Sequence, residues 1–320
     1  MPNATVTDEE FERIWHQLKS PARVAKQLGI SERAVYSRRN RLGRNGPPLI
    51  SVKHHYQNIE PRKHPARHHV NVPNGKVLVA SDCHFWPGVR TTAFKGFLHL
   101  IEKMRPKVVI VNGDVFDGAS ISRFPRIGWD SKPMVTDELR ACKDRLGEIE
   151  EAAGDAKMIW PLGNHDARYE TFLAANAPQY EGVPGFTLRD HFPKWTPCWA
   201  TWINDGEAVI KHRFKNGIHA THNNVIWSGK TMVTGHLHSL KVTPFSDYNI
   251  RPRWGVDCGT LAEPGGPQFE DYVETNPTNW RSGFAVLTFK DGELLWPELA
   301  FARHDGCIEF RGDVIDVTGV

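Results

Sequence analysis

Residues 161–169 read PLGNHDARY. An apolar run ends in glycine and then presents an amide, an imidazole and a carboxylate in succession: Asn164, His165 and Asp166. One such triplet is an ordinary turn, but the same device recurs along the chain. LVASDCHFWPG ends its apolar run with Asp82 and His84, and side chains two apart in extended backbone point to the same side. VVIVNGDVFDG ends in Asp114 and then Asp117, with Gly113 allowing a close backbone approach. EAVIKHRF ends in His212, and VTGHLHS in His236 and His238. The runs KVLVAS, KVVIVN, AKMIWPL and EAVIKH have the continuous hydrophobicity of strands buried on both faces. Helical patterns at 92–104 and 136–153 alternate with them, which predicts an α/β layered core. GFAVLTFKDGELLWPEL reads as a hairpin turning at Asp-Gly, so a second sheet is expected in the strand-rich second half. In open α/β sheets, sites form at the carboxyl ends of strands.

The chain has 320 residues, of which 40% are hydrophobic, enough for a large core. No apolar run approaches membrane-spanning length, and the first residues lack the apolar segment of a secretory signal. Five scattered cysteines without a C-x-x-C pair predict free thiols and a cytoplasmic location. The net charge of +3 is unevenly distributed. Residues 20–69 hold eleven Lys or Arg against Glu32 and Glu60, a local +9, so the remainder carries −6.

That basic end has its own pattern. DEEFERIWHQL places Phe11, Ile14, Trp15 and Leu18 at helical spacing after Thr7, a suitable N-cap. Ser20-Pro21 begins a second helix, Gly29 ends it, and Ser31 caps a third that runs to about Leu42. Residues 1–46 therefore resemble a bacterial or phage helix-turn-helix domain. Such a domain would place Ser31, Arg33, Tyr36, Ser37, Arg38, Arg39 and Arg41 on a recognition helix, with DNA as the partner. A three-helix protein-docking module is the other reading, and the arginines favour DNA. Residues 47–75 read as a basic, histidine-rich linker, solvated or ordered against the next domain, with metal binding by its five histidines as the lesser alternative. Residues 76–320 form the remaining domain.

In order, D-x-H, GD-x-x-D, GNHD, a strand-ending histidine and GH-x-H resemble the calcineurin-like metallophosphoesterase superfamily over about residues 76–260. The resemblance implies a double β-sandwich flanked by helices, with two divalent metal ions between the sheets. Mn is favoured, and Fe, Zn, Co and Ni also suit mixed nitrogen and oxygen donors. It further implies that Asp82, His84 and His238 hold one ion, that Asn164, His212 and His236 hold the other, and that Asp114 bridges both. His219 and His222 are rivals of His212. His165 would be the catalytic imidazole, Asp166 its orienting partner, and Asp117 a supporting group behind the ligands. Two such ions neutralise an anionic ester and activate a bridging water as hydroxide, while His165 protonates the leaving oxygen.

The motifs do not name a substrate. The basic front end favours DNA, hence a phosphodiesterase or nuclease of phage or bacterial type. Two alternatives stay open: a phosphatase or phosphodiesterase acting on nucleotides or phosphoproteins, and a DNA-binding regulator whose metal domain is not catalytic. Phe85, Trp86 and Phe116 either stack on a base or pack into the core. Trp195, Trp199 and Trp202 either form a lid or pack, and Arg123 and Arg126 either meet phosphates or ride a surface loop.

Overall fold

Three helices open the chain: α1 (Asp8–Leu18), α2 (Pro21–Leu28) and α3 (Glu32–Asn45). The computed structural model describes residues 6–45, 49, 64–124, 129, 131–248, 251–273 and 276–320. It divides into two units, Met1–Arg62 and Lys63–Val320. In the first unit Thr7 Oγ1 accepts the amide of Glu10 and Ser31 Oγ that of Ala34, each at 3.2 Å. Gly29 takes φ +64° between α2 and α3, a conformation that glycine adopts without steric penalty. Phe11, Ile14, Trp15, Val24, Ala25 and Val35 form the unit's apolar core.

Asp8 fastens α3 to α1. It accepts from Arg38 Nε at 2.7 Å and from Arg41 at 2.7 and 2.9 Å. The Arg39 guanidinium lies over Trp15 and Tyr36. Arg38 and Arg41, expected on a DNA-reading surface, thus spend hydrogen-bonding capacity inside their own unit. Asp8 is 30 and 33 residues away from them, too far for helical periodicity to reveal the pairing.

The second unit begins with β1 (His68–Val70), β2 (Gly75–Ala80), α4 (Thr92–Met104), β3 (Val108–Val111), α5 (Val135–Ala153), β4 (Lys157–Pro161), α6 (Asp166–Asn176) and α7 (Leu188–His191). Next come β5 (Thr196–Cys198), β6 (Thr201–Ile203), β7 (Ala208–Ile210), α8 (Ala220–Ser228), β8 (Thr231–Thr234), β9 (Lys241–Phe245), β10 (Arg253–Asp257) and α9 (Glu270–Val273). The chain ends with β11 (Gly283–Lys290), β12 (Glu293–Leu294), β13 (Glu298–Ala302), β14 (Cys307–Phe310) and β15 (Asp313–Asp316).

Two sheets result, ordered β1-β6-β7-β8-β10-β9 and β15-β14-β13-β11-β2-β3-β4-β5, with β12 on β11. Strand alternation explains the continuous apolar runs. Val77, Val79, Val108 and Ile110 pack with Ile203, Ile210, Val233 and Val256 from the other sheet. Leu78, Val109 and Val111 pack on the opposite face with Phe94, Phe97 and Ile101 of α4 and Leu139, Cys142 and Leu146 of α5. Each central strand of the larger sheet is therefore covered twice. β2, β3 and β4 run parallel, as do β7 and β8, so each set ends its strands at one edge. The expected hairpin forms between β11 and β12, with Asp291 and Gly292 both at positive φ.

The end of the linker expected over 47–75 is ordered as part of the second unit. His68–Val70 is a strand paired in parallel with β6, and His64 Nε2 lies 3.1 Å from Glu170. A three-residue strand carries too little periodicity to be read from sequence. His54 and His55 lie outside the described residues. Phe85 and Phe116 are core residues, not stacking platforms. Trp195 is buried, Trp202 is part of β6 and Trp199 is exposed, so these three do not assemble a lid. Arg123 lies over the Phe124 ring, and Arg126 is outside the described residues. All five cysteines are free, and no described helix is long and apolar enough to cross a membrane.

Helix α8 lies close against β10. A Cβ built on Gly255 would come within 2.0 Å of the Thr221 carbonyl oxygen. Gly255→Ala should destabilise the protein by about 1–3 kcal/mol, the usual penalty for overpacking, read as a lower urea midpoint by tryptophan fluorescence. An unchanged midpoint would show that α8 can shift freely.

Candidate metal centre

The ends of β2, β3, β4, β7 and β8 bring the motif residues together. Single ligand atoms of Asp82, His84 and His238 lie within 4.8 Å of one another, as do those of Asp114, His212 and His236. His212 belongs to this cluster with 2% exposure, whereas His219 and His222 are exposed. The strand-ending position thus prevails over its two rivals. The two groups abut, since His212 Nε2 is 3.1 Å from Asp114 Oδ2 and 4.0 Å from Asp82 Oδ1.

The motif glycines make this approach possible. A Cβ on Gly113 would strike the His212 ring at 2.4 Å, one on Gly163 the Asp114 carboxylate at 2.1 Å, and one on Gly235 Ser81 Oγ at 1.8 Å and Asp82 Oδ2 at 2.3 Å. Asp82, His84, Asp114, His236 and His238 all have positive φ, between 39° and 70°. Non-glycine residues held there cost about 1–2 kcal/mol each, and such strain concentrates at functional sites.

The donors suit a divalent cation. His212 Nδ1 donates to the Asn112 carbonyl at 2.8 Å, leaving the Nε2 lone pair facing Asp114. His84 Nδ1 donates to Asp117 Oδ1 at 2.8 Å, which likewise frees Nε2. His212 Nε2 and Asn164 Oδ1 are buried without a hydrogen-bond partner. Burial works against a charge on His212, but the Asp114 and Asp82 carboxylates outweigh it and push its pKa up to about 10. The pocket therefore calls for positive charge at a buried imidazole lone pair. Burial and the neighbouring His212 lower the pKa of His236, which keeps that ring a neutral donor. Asp82 is held at about 2: burial raises it, and the charges of His238 and His212 more than offset that rise.

Asp117 supports a candidate ligand, His84, as expected, and it also takes the role expected of Asp166. His165 Nδ1 bonds Asp117 Oδ1 at 2.9 Å, so one carboxylate oxygen holds both His84 and His165. Burial raises Asp117, but the bonds from His165 and His84 bring it well below the usual carboxylate range. With both Nδ1 atoms donating to it, Asp117 is a shared acceptor and not a third metal position. Asp166, expected to orient His165, accepts instead from the amides of Asp114, Val115, Phe116 and Gly163 and from Trp160 Nε1, all within 3.1 Å. Successive helical side chains diverge by about 100°, so adjacency in sequence sends Asp166 inward and away from the His165 ring. The His165 amide in turn donates to Asp114 Oδ1 at 2.8 Å.

Sequence reading passed over several further contributors. Arg168 donates to the Asp117 carbonyl at 2.9 Å and lies 3.1 Å from His165 Nε2. Its i+3 spacing from His165 on α6 was the available signal. Glu138 accepts the amides of Gly118 and Ala119, holding the loop behind Asp117. Trp280 packs edge-on against His238 and Phe269 edge-on against His84, with the Phe269 ring tilted against His238. Nothing in their spacing links those two aromatics to the motifs.

The sequence model of the calcineurin-like phosphoesterase family matches residues 75–252. A curated relative, the gene 54 protein of Mycobacterium phage L5, is 25% identical over 246 residues, covering 70% of this chain and 92% of the relative. Among solved structures, a putative diadenosine tetraphosphatase is 12% identical with a TM-score of 0.38, over 75% of this chain and all of the other. A dimetal phosphatase from Danio rerio is 10% identical with a TM-score of 0.38, over 77% of this chain and all of the other. Yfce, a phosphoesterase from E. coli, is 15% identical with a TM-score of 0.33, over 69% and 97%. With the family match spanning more than half of its length and the motif residues gathered in two His/Asp groups able to bind divalent metal ions, the chain belongs to the calcineurin-like phosphoesterases.

Proposed function

We propose that the chain is a dinuclear metal-dependent phosphodiesterase acting on DNA, with manganese as the preferred ion. The observation that carries the catalytic part is the abutment of two three-residue ligand groups through His212, Asp82 and Asp114. Asp82, His84 and His238 would hold one ion, and Asn164, His212 and His236 the other. Asp114 would serve both. Bound there, divalent ions would neutralise the ester's charge and lower the pKa of a water molecule.

The chain's own residues do the rest. Asp117 holds the His165 ring by Nδ1, and Nε2, which here faces Arg168 at 3.1 Å, would deliver the proton to the leaving oxygen once the guanidinium turns to the phosphoryl group. Burial lowers the His165 pKa, but the Asp114 and Asp117 carboxylates outweigh it, so the ring is biased towards its acid form. The Arg168 guanidinium beside Nε2 would meet a phosphoryl oxygen. DNA is favoured because the basic residues of the front unit cluster on α2 and α3, two short helices joined at Gly29 in the manner of a helix-turn-helix. Arg33 and Tyr36 are exposed on α3 there, and Arg38 and Arg41 serve the unit's own packing.

The direct test supplies manganese with bis-p-nitrophenyl phosphate, p-nitrophenyl phosphate, and linear, circular and single-stranded DNA. Cleavage of the diester and of DNA is expected. Cleavage of the monoester alone would move the chain to the nucleotide or phosphoprotein phosphatases, and no cleavage at all would leave a binding protein. Asp114→Asn should abolish nearly all turnover and reduce bound manganese, measured by atomic absorption.

Asp117→Asn should lower manganese affinity and activity by about 10–100-fold, with the rate loss growing as the leaving group worsens. His165→Ala should reproduce the leaving-group dependence while keeping the metal. A uniform loss across leaving groups in both variants would rule out His165 as the proton donor. Arg33→Glu should weaken duplex-DNA binding and reduce its salt slope by about one or more, leaving bis-p-nitrophenyl phosphate hydrolysis intact. Undiminished duplex affinity would remove α3 from DNA contact.

A further inference from the structure

Residues 208–246 contain no aspartate or glutamate, against five Lys or Arg: Lys211, Arg213, Lys215, Lys230 and Lys241. This acid-free stretch includes the three candidate ligands His212, His236 and His238. Immediately beyond the buried His212 the chain comes to the surface as Arg213, Phe214 and Lys215. Phe214 is 39% exposed and Trp227, on α8, is 69% exposed.

These groups form a built surface. The Lys215 amide donates to the buried Asn224 Oδ1 at 2.8 Å, fixing the loop to α8. Lys215 Nζ then sits 4.0 Å from the Trp227 ring centre and 5.5 Å from that of Phe214, and Lys211 Nζ is 5.7 Å from Phe214. Two solvent-facing rings interleaved with ammonium groups, adjoining a metal ligand within a stretch that has no acid from 208 to 246, match a flexible polyanion with flat faces.

We propose that Lys211, Arg213, Phe214, Lys215 and Trp227 form a track for single-stranded DNA leading to the metal centre. Bases stack on the two rings, and the lysines and arginine follow the phosphates. A duplex hides its base faces and offers the rings nothing to stack on, so the track selects unpaired strands. The choice of DNA over RNA rests on the function proposed above. The track itself rests on the surface.

The test uses the full chain with manganese and a fluorescein-labelled phosphorothioate dT12, which keeps its charge and resists hydrolysis, read by anisotropy. Trp227→Ala should weaken binding about tenfold or more, and Trp227→Phe should largely restore it. Lys215→Ala should reduce the slope of log affinity against log salt by about 0.7. Bis-p-nitrophenyl phosphate hydrolysis should stay at the parent rate in the Trp227 variants, since Trp227 is neither a candidate ligand nor bonded to one. Unchanged dT12 binding in both Trp227→Ala and Lys215→Ala overturns the proposal and points to a protein partner for the patch. Tighter binding of an rU12 probe than of dT12 overturns the assignment to DNA. Loss of dT12 binding in a protein whose parent hydrolyses no ester would uphold the track while removing the catalytic reading, so the two fail separately.

Discussion

The buried carboxylate of Asp166 accepts three consecutive amides from the loop after β3, the amide of Gly163 from the loop after β4, and the indole N–H of Trp160. Buried amides need acceptors, and the turn that aims Asp114 offers no carbonyl to supply them. One side chain therefore fixes the separation of two loops. The His165 amide closes the clasp from the other direction by donating to Asp114 Oδ1. Burial and the Asp114 charge push the Asp166 pKa up to about 6, and the donated hydrogen bonds and its place at the first position of α6, where the helix's N-terminal field favours negative charge, work against that rise. The position of Asp114 relative to Asn164 and His165 is thus set by the fold before any ion arrives.

That rigidity answers a cost. Five of the candidate ligands hold left-handed backbone, and a chain free to relax would leave it. Two devices prevent relaxation. Glycines at 113, 163 and 235 allow backbone to press against ligands of neighbouring loops, where any Cβ would force them apart. Hydrogen bonds then hold the ligands from behind: Ser81 Oγ and the His236 amide on Asp82, the Asn112 carbonyl on His212, and Asp117 on His84. Lone pairs left pointing inward by this scaffold are ones a cation can satisfy, so strain, glycine spacing and the capacity to bind metal are three aspects of one arrangement.

The strands, the two flanking helices and the ligand positions were legible because each is written locally: helical periodicity for the helices, and for each ligand an apolar run followed by a donor, with glycine between them at Asp114, Asn164 and His236. His212 could be separated from His219 and His222 only by its place directly after a strand. The reading failed where contacts cross the chain. Asp166 neighbours His165 in sequence, yet helical geometry turns the two side chains apart, while Asp117 arrives from 48 residues away to take the imidazole. The pairing of Asp8 with Arg38 and Arg41 is hidden for the same reason, and β1 is too short to show a period. Residue chemistry at strand ends survives translation into sequence, whereas the partner behind each residue does not.

A centre that attracts cations strongly carries enough negative charge to repel an anionic ester, and the two sheets separate these tasks. Loops of the larger sheet supply the carboxylates Asp82, Asp114 and Asp117, all nearly inaccessible to solvent. The smaller sheet supplies its candidate ligands as imidazoles alone, within a stretch that has no acid from 208 to 246. Negative charge is thereby buried in the floor of the candidate site, where it would act on a cation at short range in a poorly screened interior. The lysines and arginine that adjoin the centre on this side are at the surface, where their longer-range field draws an anion inward. Exchanging the two would leave a buried cationic floor unable to bind metal and an acidic rim that turns phosphate away, so the order of the layers is itself part of the chemistry.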